Sequence, residues 1–136
     1  MEINNRTVRL NERPNGLPEK KIWSFNEENF DLKLDDNQFI IKNEFVSLDP
    51  AMRGWLNDAR SYIKPVNVGD VMRAGTVGKI IKSNNKYFNE GDYVSGWGGV
   101  QDYTITNGEN FQKINDDKVA KESYLGVLGM PGFTAY

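Results

Sequence analysis

The longest apolar alternation in the chain is Gln38-Phe39-Ile40-Ile41-Lys42-Asn43-Glu44-Phe45-Val46-Ser47-Leu48-Asp49-Pro50. Its β-branched and aromatic residues recur with the two-residue period of a strand. The parity switches between Ile40 and Ile41, which predicts either a bulge or burial on both faces. Asp49-Pro50 ends the strand. Asp49 is suited to cap a short helical turn over 51–56, with Pro50 at its first position, where a missing N–H costs nothing.

The flanking sequence repeats the theme in shorter pieces. On the N-terminal side, Arg6–Leu10, Ile22–Phe25 and Phe30–Leu34 read as strands. A Pro- and Gly-containing loop (11–18) and a polar stretch (26–29) separate them. On the C-terminal side, a polar loop runs from Asn57 to Lys64 with Tyr62-Ile63 as anchors. Strands are then predicted over Val71–Ile81, Tyr93–Gly96, Val100–Thr106 and Phe111–Ile114. Glycines 75 and 78 inside the first of these signal a bulge or close backbone approach, and Asn107-Gly108 is a hairpin-type signal. Short strands at intervals of roughly ten residues argue for a small, mainly β barrel or sandwich. A short helix is expected to start near Lys121.

Composition removes several function classes. The 136 residues carry a formal net charge of −2, which gives no electrostatic case for nucleic acid. Lys79, Lys82 and Lys86 read as the solvated face of a strand and turn. There is no cysteine and no histidine. That removes the usual ligands of zinc, the Ser-His-Asp and Cys-His nucleophile systems, and any disulfide. No signal-peptide pattern and no membrane-length apolar run occur, so the expected location is the cytoplasm, with no membrane partner.

Three further features read as structural. Gly96-Trp97-Gly98-Gly99 lacks the following helix that a phosphate loop needs, and reads as a β turn. The carboxylate pairs at 27–28, 35–36 and 116–117 read as solvated loops. Trp23, Trp55 and Trp97 read as core anchors rather than a stacking platform. Core formation does not explain Ser47–Trp55, nor the closing Leu125-Gly126-Val127-Leu128-Gly129-Met130-Pro131-Gly132-Phe133-Thr134-Ala135-Tyr136. The closing run ends on aromatic surface that needs something to pack on, and the expectation is that a second domain follows it.

Taken in order, Ser47-Leu48-Asp49-Pro50-Ala51-Met52-Arg53-Gly54-Trp55, Gly69–Gly78, Phe88-Asn89-Glu90-Gly91-Asp92-Tyr93-Val94 and Tyr124–Tyr136 resemble the zinc-independent branch of the medium-chain dehydrogenases/reductases. The nearest subgroup is that of prostaglandin reductases, leukotriene hydroxydehydrogenases and alkenal double-bond reductases. The resemblance covers essentially the whole chain. It implies a GroES-like, partly open β barrel with a few short helices over residues 1–120. Residues 121–136 would begin the connection to an NADP(H)-binding Rossmann domain that this chain does not contain.

The function implied is reduction of the C=C bond of α,β-unsaturated ketones or aldehydes by hydride transfer from NADPH. The missing domain would bind most of the cofactor, no zinc would take part, and this domain alone would be inactive. The resemblance places Met130 and Thr134 on the nicotinamide side of an interdomain cleft. It places Asp49, Pro50, Ala51, Met52 and Arg53 along that cleft, with Tyr62 as the candidate catalytic hydroxyl. Family members often carry Tyr where this chain has Ala51, and plant double-bond reductases carry Tyr where it has Gly75; both changes remove phenols from the substrate side. The full protein is expected to be a homodimer and this domain alone a monomer. The alternative is a stand-alone GroES-like β-barrel binding or scaffold module without catalysis.

Overall fold

The computed structural model describes residues 2–61, 63–115, 118–126, 128–129 and 131–132. The chain is mainly β. An N-terminal hairpin pairs β1 (Glu2–Leu10) with β2 (Trp23–Asp31). Five further strands follow: β3 (Phe39–Val46), β4 (Thr76–Ser83), β5 (Tyr93–Gly96), β6 (Tyr103–Thr106) and β7 (Phe111–Ile114). They form one antiparallel sheet in the order β6-β3-β4-β5-β7. The helical elements among the described residues are short: α1 (Met52–Trp55) and 3-10 turns at Lys20–Ile22 and Lys121–Leu125.

The parity switch in β3 has a physical basis. Ile40 faces Lys82 while Ile41 faces Ile80, so Ile81 is the extra residue of a bulge on β4. Glu44 is likewise extra on β3, between the pairs Asn43–Gly78 and Phe45–Val77. Both readings of the switch hold, because Ile40 and Ile41 are each fully buried. Gly78 permits this approach: a Cβ there would lie 2.6 Å from Ile41 Cγ2 and collide with the Lys42 carbonyl.

Among the described residues, two clusters form the core. Phe39, Ile41, Ile80 and Val94 pack on the inner face of the large sheet, with Phe88 and Phe111 against them. Phe39 stacks on Phe88 at 4.6 Å and meets Phe111 edge-on at 6.5 Å. Leu10, Ile22, Trp55, Leu56, Val66 and Met72 form the second cluster under the hairpin and α1.

Several sequence expectations require correction. Residues 26–29 are not a loop. β2 is one strand of nine residues, paired in continuous register with β1. Ion pairing sustains its polar middle: Arg9 donates to both carboxylate oxygens of Glu28, at 2.9 and 3.0 Å. β2 stops at Asp31, so Phe30–Leu34 is not a separate strand, although Leu34 is buried. Residues 71–75 precede β4 rather than belong to it. They are laced instead between β1 and residues 99–100, through Met72 N–H to the Val8 carbonyl and Gly99 N–H to the Ala74 carbonyl. Residues 100–102 likewise lie outside β6 and meet β1 through the Thr7–Gln101 bridge.

Asn107-Gly108 does turn the chain, with Gly108 at φ +97°, but it makes no hairpin. β6 and β7, the strands it joins, lie on opposite edges of the sheet. In a flat sheet those edges would be about 19 Å apart. The connection from Thr106 to Phe111 reaches about 17 Å at full extension, and it is further shortened by a turn in which Phe111 N–H donates to the Gly108 carbonyl. The sheet therefore curls on itself without closing, which is the partly open barrel expected.

Candidate active-site cleft

The chain turns out of β3 at Ser47, whose N–H donates to the Gly75 carbonyl at 2.8 Å. α1 follows, and its first turn starts from backbone groups: Met52 N–H donates to the Asp49 carbonyl at 3.0 Å and Arg53 N–H to the Pro50 carbonyl at 3.2 Å. The Asp49 carboxylate is not the cap predicted for it. It accepts the Ser47 hydroxyl at 2.9 Å, and the Asp49 N–H points at Met52 Sδ. A hydroxyl donor two residues back takes the carboxylate in place of the helix N–H groups.

Ser47 and Asp49 form one side of a cleft of about 290 Å³. Gly75, the end of β5 with Trp97, and the closing segment complete it, the last contributing Tyr124, Leu125, Leu128, Gly129 and Pro131. The two stretches that core formation left unexplained thus meet in one place. A larger groove of about 470 Å³ lies between the hairpin and the main sheet. It contains neither stretch, and we assign the candidate site to the smaller cleft for that reason.

Of the residues expected along the cleft, Asp49 lines it. Pro50 and Ala51 are exposed. Met52 packs against the second core cluster. Arg53 turns toward the N-terminal loop, donating to the Gly16 carbonyl at 3.1 and 2.8 Å and to Asn57 Oδ1 at 2.8 Å. Tyr62, Met130 and Thr134 lie outside the described residues.

Trp97 corrects the reading of all three tryptophans as core anchors. Trp55 is 9% exposed and Trp23 packs on the same cluster, whereas Trp97 is 49% exposed on the cleft wall. It meets Trp55 edge-on at 5.7 Å, and the Arg73 guanidinium lies 5.3 Å from the Trp55 ring centre. The signal in the sequence was the glycine on either side of Trp97, which excludes neighbouring side chains without hiding the indole.

Beyond the cleft, Arg6 clamps Asp102 through Nε–Oδ2 at 2.7 Å and Nη2–Oδ1 at 3.1 Å, fastening the hairpin to the chain ahead of β6. The Arg6 hydrogen bond holds the Asp102 carboxyl below the usual carboxylate range, against partial desolvation. Tyr93 is shifted the other way, raised by burial and then by Glu44.

Residues 6–114 match the family described as the N-terminal domain of oxidoreductase. Over 138 aligned residues the chain is 42% identical to an NADPH-dependent curcumin reductase of Escherichia coli, covering 97% of this chain and 38% of that protein. It is 32% identical to a 2-alkenal reductase (NADP(+)-dependent) of Nicotiana tabacum, over 99% of this chain and 40% of that protein. The crystal structure of CurA in complex with NADPH from Vibrio vulnificus superposes with a TM-score of 0.87 at 35% identity, covering 96% of this chain and 39% of that one. The chain therefore belongs to the N-terminal, GroES-like domain family of the zinc-independent medium-chain NADP-dependent oxidoreductases. It spans about two fifths of the length of the relatives it matches.

Proposed function

We propose that residues 1–120 form the N-terminal catalytic domain of an NADP(H)-dependent reductase of α,β-unsaturated ketones or aldehydes. Residues 121–136 would begin the connection to the domain that binds the cofactor. The observation that carries this reading is the meeting of Ser47 and Asp49 with the closing segment around one cleft, faced by the bare backbone of Gly75. At about 290 Å³ the cleft is near the lower limit for small-molecule sites. It fits one planar ring or a short enone and excludes a whole dinucleotide. The glycine turn 96–99 follows a strand and opens no helix, so it offers no seat for a pyrophosphate. Most cofactor contacts must then come from elsewhere.

The bound nicotinamide would supply a hydride to the β-carbon, leaving an enolate that is protonated at the α-carbon. The chain's own part is to seat the enone against the ring, exclude water and donate a hydrogen bond to the carbonyl oxygen. Tyr62 is the proposed donor. Asp49–Arg53 would shape the substrate side, with Asp49 as its cleft-lining member, and Met130 and Thr134 would meet the nicotinamide. The proposal includes a cytoplasmic, metal-free enzyme that assembles as a homodimer through its other domain.

The test is NADPH oxidation by the full-length protein with simple enones, alongside calorimetry on residues 1–136. Turnover by the former and no NADPH binding at micromolar concentration by the latter are expected. Absence of turnover across several enones overturns the reading. Micromolar NADPH affinity in residues 1–136 overturns the assignment of the cofactor site to another domain.

A further inference from the structure

We infer that Trp97 is the surface on which the cleft takes the planar, conjugated part of its substrate. The inference rests on the enone-reductase reading. Exposure alone would be unremarkable for one apolar residue; what matters is how firmly this indole is held. A Cβ at Gly96 would lie 2.5 Å from both the Asn110 carbonyl and Phe111 Cδ1, and one at Gly98 would collide with Thr76. Both flanks of Trp97 are therefore packed solid at the backbone. Gly98 N–H also donates to Thr76 Oγ1 at 3.1 Å. The buried Trp55 lies 5.7 Å from the indole with the ring planes at 76°, and is itself covered by Arg73.

An indole fixed in this way needs little ordering when a ligand arrives, so its stacking contributes to binding with little entropic loss. Ser47, Asp49, Ser95, Asn110 and Gln112 make part of the lining polar, and the remainder suits a flat ligand. Gly75 and Gly129 contribute no side chain, while Leu125, Leu128 and Pro131 are apolar. Trp97 is thus a specificity-determining residue that favours aryl-conjugated enones over short aliphatic ones.

The experiment compares benzalacetone with ethyl vinyl ketone as substrates of the full-length protein. Trp97→Ala is expected to lower kcat/KM about tenfold for benzalacetone and to leave ethyl vinyl ketone within about twofold, while Trp97→Phe keeps most of the preference. A second arm measures binding of the saturated ketone benzylacetone by calorimetry with NADP present. There Trp97→Ala weakens Kd about tenfold, by the same stacking argument. Equal losses on both enones, or none, overturn the inference. So does unchanged benzylacetone affinity. Equal losses together with a lowered Tm would mean that Trp97 only packs against the protein. If the wild type reduces neither enone yet the binding arm holds, the reductase reading fails and the assignment of Trp97 as the ligand surface survives.

Discussion

Two glycines three residues apart show how the tertiary setting separates residues that look alike in sequence. Gly78 sits under the β3 bulge, where a Cβ would press on Ile41 and on the Lys42 carbonyl. Backbone cannot swing aside as a side-chain tip can. Gly78→Ala is accordingly expected to destabilise the protein by about 1–3 kcal/mol through overpacking, read as a lower urea midpoint at unchanged slope. A Cβ at Gly75 would meet Leu125 Cδ2 at 3.5 Å and Ser47 Cβ at 3.8 Å, which is ordinary contact. Gly75→Ala should change stability by less than about 0.5 kcal/mol. A large loss there would mean that the walls around Gly75 are more tightly packed than these distances imply. Phe39 shows the opposite extreme: it is fully buried between Phe88 and Phe111. Phe39→Ala should cost about 3–5 kcal/mol, including the cavity it leaves.

Among elements, the N-terminal hairpin is held differently from the main sheet. Besides the apolar cluster built on Leu10 and Ile22, its attachment uses the Arg6–Asp102 pair, the Thr7–Gln101 and Arg9–Val71 bridges and a few backbone bonds. Because the native state holds the Asp102 carboxyl below its ordinary range, this contribution is fully present above the unfolded carboxylate pKa. It is lost as pH falls through the native value. The pair is solvent-accessible, so the effect is small and screened by salt. Urea midpoints for wild type and Asp102→Asn should differ at neutral pH and converge in acid. A gap that persists unchanged in acid would show that the pair's charge is irrelevant to the attachment.

For the molecule as a whole, the short connection between the edge strands β6 and β7 forces the sheet to curl. Strand register does the rest: Val46 and Gly96 both pair with Thr76, so the end of β5 and the turn after β3 reach the same cleft as the closing segment. None of this was legible from strand periodicity, since Asn107-Gly108 signals the same local turn whether its strands pair or part. The strand content was legible, because alternation and glycine spacing are local properties. The true length of β2 was not. Its polar middle is stabilised by β1 and Arg9, which are distant in sequence. As a separate molecule, residues 1–136 are expected to sediment as a monomer of 15.5 kDa. A concentration-dependent dimer would place an interface on this domain.

What the amino-acid order determined by itself was local: the strands, the bulge at Ile40-Ile41, the turn after Asp49-Pro50 and the absence of Cys and His chemistry. Each follows from side-chain period, proline geometry or the donor inventory of the residue types. Tertiary structure alone decided which of these meet. It put Ser47 and Asp49 beside Tyr124, Leu125, Leu128, Gly129 and Pro131, directed Arg53 to Gly16 instead, and left Trp97 facing the cleft while Trp55 went into the core. The physical reason is that burial and hydrogen-bond partnership depend on contacts far apart in sequence.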